Sequence, residues 1–249
     1  MNILLILTYL FFIGSVSGWV LEVFFRKFFS DSNPNHKWIN PGFCTGPYLP
    51  IYGVGLCILY LLALLGGEIG LNDTVKGRGL LFALIAVSMT LIEYIGGIIL
   101  LKAANLRLWD YNRLWGNIDG LICPLFSLIW AFLGAIYYFE IHEHILVAIN
   151  WLAENLAFSF VVGFFFGIFT IDLVNSAQLA SKISKYAEEL DLVIKFETLK
   201  MHLRETRKQA SETVRFLFPF RTVRSIPELL SEAHDAIEKR RSPRRDVGQ

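Results

Sequence analysis

Four carboxylates stand where carboxylates are costly. Glu22 lies in SGWVLEVFFR, Glu93 in TLIEYIGG and Asp172 in FGIFTIDLVNS, each within an apolar run, and Asp110 sits in LWDYNRLWGNIDGLICP. A charged group in a bilayer interior costs about 2.5–3.5 kcal/mol on insertion scales, so such groups face the inside of a bundle and find partners there. Arg26 follows Glu22 by one helical turn, so Glu22 reads equally as half of a local ion pair or as part of a site. Glu93 has no cation one turn away and reads as a site. Asp110 is flanked by Trp109 and Tyr111, with Asn112 and Asn117 close by; its alternative is loop architecture, a carboxylate accepting backbone N–H groups in an Asx-type turn. With Tyr52 at the head of an apolar run, the candidate binding residues are Glu22, Tyr52, Glu93, Trp109, Asp110, Tyr111, Asn117 and Asp172. The chemistry they offer is polar recognition or gating within a membrane.

Other chemistry is not signalled. His142 and His144 are two residues apart, do not share a helix face and read as part of a loop, so no metal site is expected there. The three cysteines, Cys44, Cys57 and Cys123, are widely spaced and odd in number, which suggests neither a disulfide framework nor a zinc site. No G-x-x-x-x-G-K-[ST], G-x-S-x-G or H-E-x-x-H string occurs; if nucleotide drives this protein, another chain binds it. No cofactor, no nucleic-acid partner and no enzymatic activity is expected.

The elements that must position these residues are membrane helices. Hydrophobic residues make up 54% of the chain and the mean hydropathy is +0.49, too apolar for a soluble domain. Runs of about 20 apolar residues, enough to cross a bilayer, fall near 3–25, 49–67, 79–101, 121–140 and 156–175. A shorter stretch, 145–156, reads as an interfacial helix with Trp151 in the headgroup zone. The first run lacks a Lys or Arg ahead of it and continues past the small residues Ser15, Ser17 and Gly18, so it is expected to be retained rather than cleaved as a signal peptide. The fold expected is therefore an all-α, multi-pass helix bundle over residues 1–175, lying in the lipid bilayer of the cytoplasmic membrane. Placing Lys and Arg on the cytoplasmic side predicts an N-out, C-in arrangement, with Arg26, Lys27, Lys37, Lys102, Arg107 and Arg113 inside and Lys76 and Arg78 outside.

That orientation puts NPGFCTGPYLPIYG, residues 40–53, on the same face as LWDYNRLWGNIDGLICP, residues 108–124. Both are rich in helix breakers and run straight into apolar segments, so both are expected to dip into the protein, where irregular backbone must be buried or line a cavity. The four acids are expected to converge at that level.

The tail, residues 176–249, holds 15 of the 23 Lys and Arg and 11 of the 22 acids; it is net +4 and leaves the bundle net −3. Leu179, Ile183, Tyr186, Leu190, Val193, Phe196, Leu199 and Leu203 form a stripe at helical spacing, predicting a cytoplasmic amphipathic or coiled-coil helix from Ala177 to about Val214. FLFPF at 216–220 ends it, a capping box at Ser225–Glu228 starts a second helix, and KRRSPRR forms a basic, solvated end.

The strings GWVLEVFFR, NPGFCTGPYLPIYGVG, TLIEYIGG and LWDYNRLWGNIDGLICPLFSLIW occur in an order that resembles the CmpB family, labelled as type IV ABC-transporter permeases. The resemblance covers roughly residues 10–175. Its matched positions here are Trp19, Glu22, Gly42, Phe43, Gly46, Pro47, Pro50, Tyr52, Gly53, Glu93, Tyr94, Trp109, Asp110, Tyr111, Asn117, Gly120 and Cys123. It departs from the family pattern at Pro41, where an Arg is common, and at Leu101–Lys102, where an acid is common. The resemblance implies a small bacterial inner-membrane protein acting as a permease subunit, with a separate nucleotide-binding ATPase as partner and no substrate specified. A homodimer or a coiled-coil partner through the tail is the further expectation. The alternatives are a non-transporting scaffold or regulatory protein and, ranked last, an intramembrane enzyme using the acids on lipid.

Overall fold

The computed structural model describes residues 2–30, 33, 36, 38–104, 106–189 and 194–195. Six α-helices account for nearly all of them: α1 (Ile3–Phe28), α2 (Pro50–Glu68), α3 (Val75–Ala104), α4 (Pro124–Ile136), α5 (His142–Glu154) and α6 (Ser159–Glu189). Five stretches are long and apolar enough to cross a membrane: Ile3–Phe28, Pro50–Glu68, Val75–Lys102, Pro124–Glu154 and Leu156–Gln178.

Local chemistry sets the helix ends. The Asn2 side chain accepts from Leu4 N at 3.0 Å, capping the first turn of α1. Arg26 and Lys27 in its last turn suit the negative end of the helix dipole. Pro50 and Pro124 open α2 and α4, where a missing N–H costs nothing. Beyond α2 the chain reverses through Gly70, whose φ of +68° is open to glycine. Thr74 then accepts from Gly77 N at 3.0 Å and begins α3.

The fourth span departs from the sequence reading. α4 does not stop at a loop near 140; it passes through a single wide π turn, Tyr137–Ile141, directly into α5. His142 and His144 therefore lie on a helix, not in a loop, and residues 145–154 continue the fourth span rather than forming a separate helix. The reason is packing: Ile145 and Ile149 join the core formed by Ile6, Leu10, Leu59, Tyr60, Leu81, Ile85, Met89 and Tyr137. Leu152 is buried with Tyr9 and Val162.

The tail also differs. α6 runs through Glu189 with no break at 175–176, and Ile194–Lys195 are extended, paired in parallel with Leu106–Arg107. The expected helix to Val214 is thus not continuous; its remainder, the FLFPF break, the second helix and the basic end lie outside the described residues.

Close approach of α1 and α2 depends on glycine. A Cβ on Gly14 would meet Leu56 Cβ and the Tyr52 carbonyl at 2.9 Å, and one on Gly18 would overlap the Tyr52 ring. Gly14 and Gly18 form a small-xxx-small pair, which lets helix backbones approach closely in a membrane. Here the space at Gly18 is filled by Tyr52. Gly18→Val should destabilise the bundle by about 2 kcal/mol through overpacking, whereas Gly163→Ala, which meets nothing within 4 Å, should be neutral; thermal unfolding in detergent compares the two.

Candidate functional site

The segment 38–49 runs back along α1 instead of away from it. Asn33 Nδ2 donates to Arg26 O at 3.1 Å, Trp19 Nε1 to Asn40 Oδ1 at 3.0 Å, and Leu49 N to Ser15 O at 2.9 Å. From Arg26 to Ser15 is about 16 Å of helix at 1.5 Å per residue. The segment is therefore re-entrant, and Pro41, Gly42, Cys44, Tyr48 and Leu49 are buried. Asn40 organises its turn: its side chain donates to the carbonyls of Cys44 and Thr45 at 3.2 and 2.9 Å and accepts from Gly42 N at 3.0 Å.

Asp172 on α6 supplies what this backbone lacks. Its carboxylate accepts from Thr45 N at 3.0 and 3.2 Å, from Gly46 N at 2.9 Å, and from the hydroxyls of Thr45, Tyr48 and, at 3.4 Å, Ser176. Asp172 is 8% exposed. Such a carboxylate, ringed by donors, is a structural anchor. The Tyr48 phenol is pushed well above the usual tyrosine range by burial and by its bond to Asp172, so it stays a donor.

A second polar cluster lies between α1, α2, α3 and α4. Glu22 accepts from Arg26 Nε at 2.9 Å and from the Tyr52 hydroxyl at 2.9 Å. Arg26 also donates to Leu108 O at 3.4 Å, tying α1 to the 106–123 loop. Glu93, 4% exposed, accepts from the Tyr111 hydroxyl at 2.9 Å through Oε1. Its other oxygen, Oε2, and the Trp130 N–H that faces the carboxylate are each without a fully formed hydrogen bond among the described residues, although the two side chains lie close enough to act on each other as donor and acceptor. The two carboxylates act on each other electrostatically, and both act on Tyr52. Tyr52 packs against Trp130 with ring centroids 5.7 Å apart, and Tyr111 stacks on Phe126 at 4.3 Å. The Tyr111 phenol lies well above the ordinary tyrosine range, first because it is buried and then because Glu93 is next to it.

The 106–123 loop holds Tyr111 in place. Asp110 Oδ1 accepts from Asn112 N at 3.1 Å and lies 3.8 Å from Arg107. Asn117 Nδ2 donates to Leu114 O at 2.8 Å and Asn112 O at 3.3 Å, while its Oδ1 accepts from Gly120 N at 3.1 Å. Trp109 Nε1 donates to Leu121 O at 2.8 Å. Gly120 has a φ of +66°, and a Cβ there would press on Asn112 and Arg107.

The structure thus brings Glu22, Glu93, Tyr52 and Tyr111 together and places the other candidates elsewhere. Asp172 belongs to the first loop, and Trp109, Asp110 and Asn117 shape the third, so the four acids do not converge at one point. Both loops touch α1, but the 38–49 segment is otherwise anchored on α6 and the 106–123 loop on α3 and α4. Sequence reasoning missed Trp130, which nothing distinguishes within its apolar run. It also missed Thr45, Gly46 and Tyr48 as carboxylate donors, although TGPY next to a lone intramembrane Asp was a usable signal.

A family model described as "Putative ABC-transporter type IV" matches residues 9–177. No curated protein and no solved structure matches the chain.

Two outcomes are expected from this geometry. A hydrogen bond to a charged group contributes about 1.5–3 kcal/mol, so Asp172→Asn should loosen the first loop and speed maleimide labelling of the buried Cys44 thiol at least about tenfold. The Tyr111 phenol has a raised folded-state value, so its bond to Glu93 is fully present below the ordinary tyrosine value of about 10 and lost only as pH rises past the raised value. Alkaline absorbance titration of the folded protein should therefore be unchanged by Tyr111→Phe up to that region.

Proposed function

Because the chain belongs to the type IV ABC-transporter family, we propose that it is the membrane-spanning permease subunit of a transporter, multi-pass in the cytoplasmic membrane and served by a separate ATPase. The observation that carries the reading is the cluster of Glu22, Glu93, Tyr52, Tyr111 and Trp130 between four helices, in which the described residues leave one Glu93 oxygen without a fully formed hydrogen bond. An intramembrane carboxylate lacking full compensation is a functional group by default. The orientation is N-out and C-in, from the distribution of Lys and Arg, which places the cluster and both loops toward the cytoplasm, on the side where an ATPase docks. Asp110, Asn117 and Trp109 serve this site by holding Tyr111, and Asp172 by holding the re-entrant segment; contact with the transported molecule falls to Glu22, Glu93, Tyr52 and Tyr111.

A second reading has its own support. Most of the polar side chains near the two loops are consumed in holding those loops, as a scaffold would require. In it the tail recruits a partner or forms a homodimer, and the acids are structural. A lipid-modifying enzyme has less support, since among the described residues no Ser, Thr or Cys is bonded to Glu22 or Glu93, whose partners are Arg26 and tyrosine hydroxyls.

The readings separate experimentally. Purification in mild detergent should retain a nucleotide-binding protein, and Glu22→Gln or Glu93→Gln should abolish the transport phenotype of a complemented deletion strain while leaving the amount of protein unchanged. Loss of function on truncation after Glu189, with both Gln variants fully active, would establish the scaffold instead.

A further inference from the structure

Glu93 differs from the other intramembrane acids in how its charge is met. Asp172 has donors on both oxygens, two of them backbone N–H groups. Glu22 has Arg26. Glu93 has neither: the groups that act on it are Glu22 from α1, Tyr111 from the loop and Trp130 from α4, with Tyr52 from α2 and Arg26 from α1 in the same cluster and Cys123 acting on Tyr111. Arg26 is paired with Glu22 at 2.9 Å and donates to Leu108 O at 3.4 Å, and the Glu22 carboxylate repels Glu93. Among the described residues the neutral Tyr111 hydroxyl donates to Oε1 and the neutral Trp130 N–H faces the carboxylate, while Oε2 is sealed from solvent without a fully formed hydrogen bond.

A carboxylate in this setting is costly as an anion and is relieved by neutralisation. A metal or ammonium ion would need room beside Oε2, and the oxygen has none; a proton needs no room. We infer that Glu93 is a proton-binding site: Oε2 carries a proton in this closed arrangement of the bundle. When the helices part and water reaches the oxygen, the O–H bond breaks, the electron pair stays on the carboxylate and the proton passes to water. Opening of the cluster and proton release are therefore linked. The linkage does not depend on transport, and it would couple the proposed permease site to pH.

Infrared difference spectroscopy on the full chain in lipid vesicles tests this directly. A protonated-carboxyl C=O band should be present at neutral pH, disappear in Glu93→Gln, persist in Glu22→Gln and shift in Tyr111→Phe, which removes the donor to Oε1. Absence of such a band in the unsubstituted protein overturns the inference without any variant. So does a band that survives Glu93→Gln, one left unshifted by Tyr111→Phe, or one removed at neutral pH by sodium or potassium ions, which would make the ligand a metal cation. A transport defect or its absence leaves the band unaffected, so the failure of the permease reading and of this one are separately visible.

Discussion

Polar groups removed from water must be answered by other protein groups, and in a bilayer no solvent stands ready to help. The structure depends on that constraint at two places. At the first, irregular backbone has spare N–H groups and a helix has a carboxylate with no donors. Thr45 and Gly46 present the one, Asp172 presents the other, and each resolves the difficulty of its counterpart. Neither the re-entrant segment nor the intramembrane Asp would be tolerable alone. Their pairing fixes α6 against a loop more than a hundred residues earlier, and the Tyr48, Phe165 and Phe169 rings pack around the join.

At the second place the answer is incomplete. Glu22 is satisfied by its own helix and by Tyr52, and Tyr52 reaches it because Gly18 leaves its ring a place to lie. Among the described residues Glu93 has one fully formed hydrogen bond, from Tyr111, delivered by a loop whose Asp, Asn and Trp side chains are spent on holding its shape, with the Trp130 N–H facing it. The contrast between a saturated and a half-satisfied carboxylate in one bundle separates structural polarity from functional polarity more sharply than residue type does.

Much of this was legible in sequence and some was not. Span positions follow from hydropathy because burial in lipid requires about 20 apolar residues whatever the packing, and Glu22–Arg26 follows from helical spacing. For Asp110, a candidate binding residue with an Asx-type turn as its alternative, the turn is visible in sequence because it is local, and its Oδ1 accepts from Asn112 N. The partners of Asp172 and Glu93 were hidden, since they come from segments distant in sequence and depend on where the loops fold. His142 and His144 read as loop residues in sequence because two polar histidines and two glutamates break the apolar run. Tertiary contacts of Ile145, Ile149 and Leu152 keep the helix going, and composition does not report them. Trp130 carried no signal because one aromatic in an apolar helix resembles any other.

The wide turn at Tyr137–Ile141 has a geometric consequence. At about 100° per residue, an unbroken α-helix would leave the stripe of Ile145, Ile149 and Leu152 roughly 60° out of phase with that of Trp130, Gly134 and Tyr137. The extra residue that a π turn accommodates shifts the phase by about 100°, which leaves the stripes roughly 40° apart on the other side, and both look into the same bundle. The turn acts as a phase corrector, aligning the part of the helix that carries Trp130 to Glu93 with the part that packs on α1 and α6.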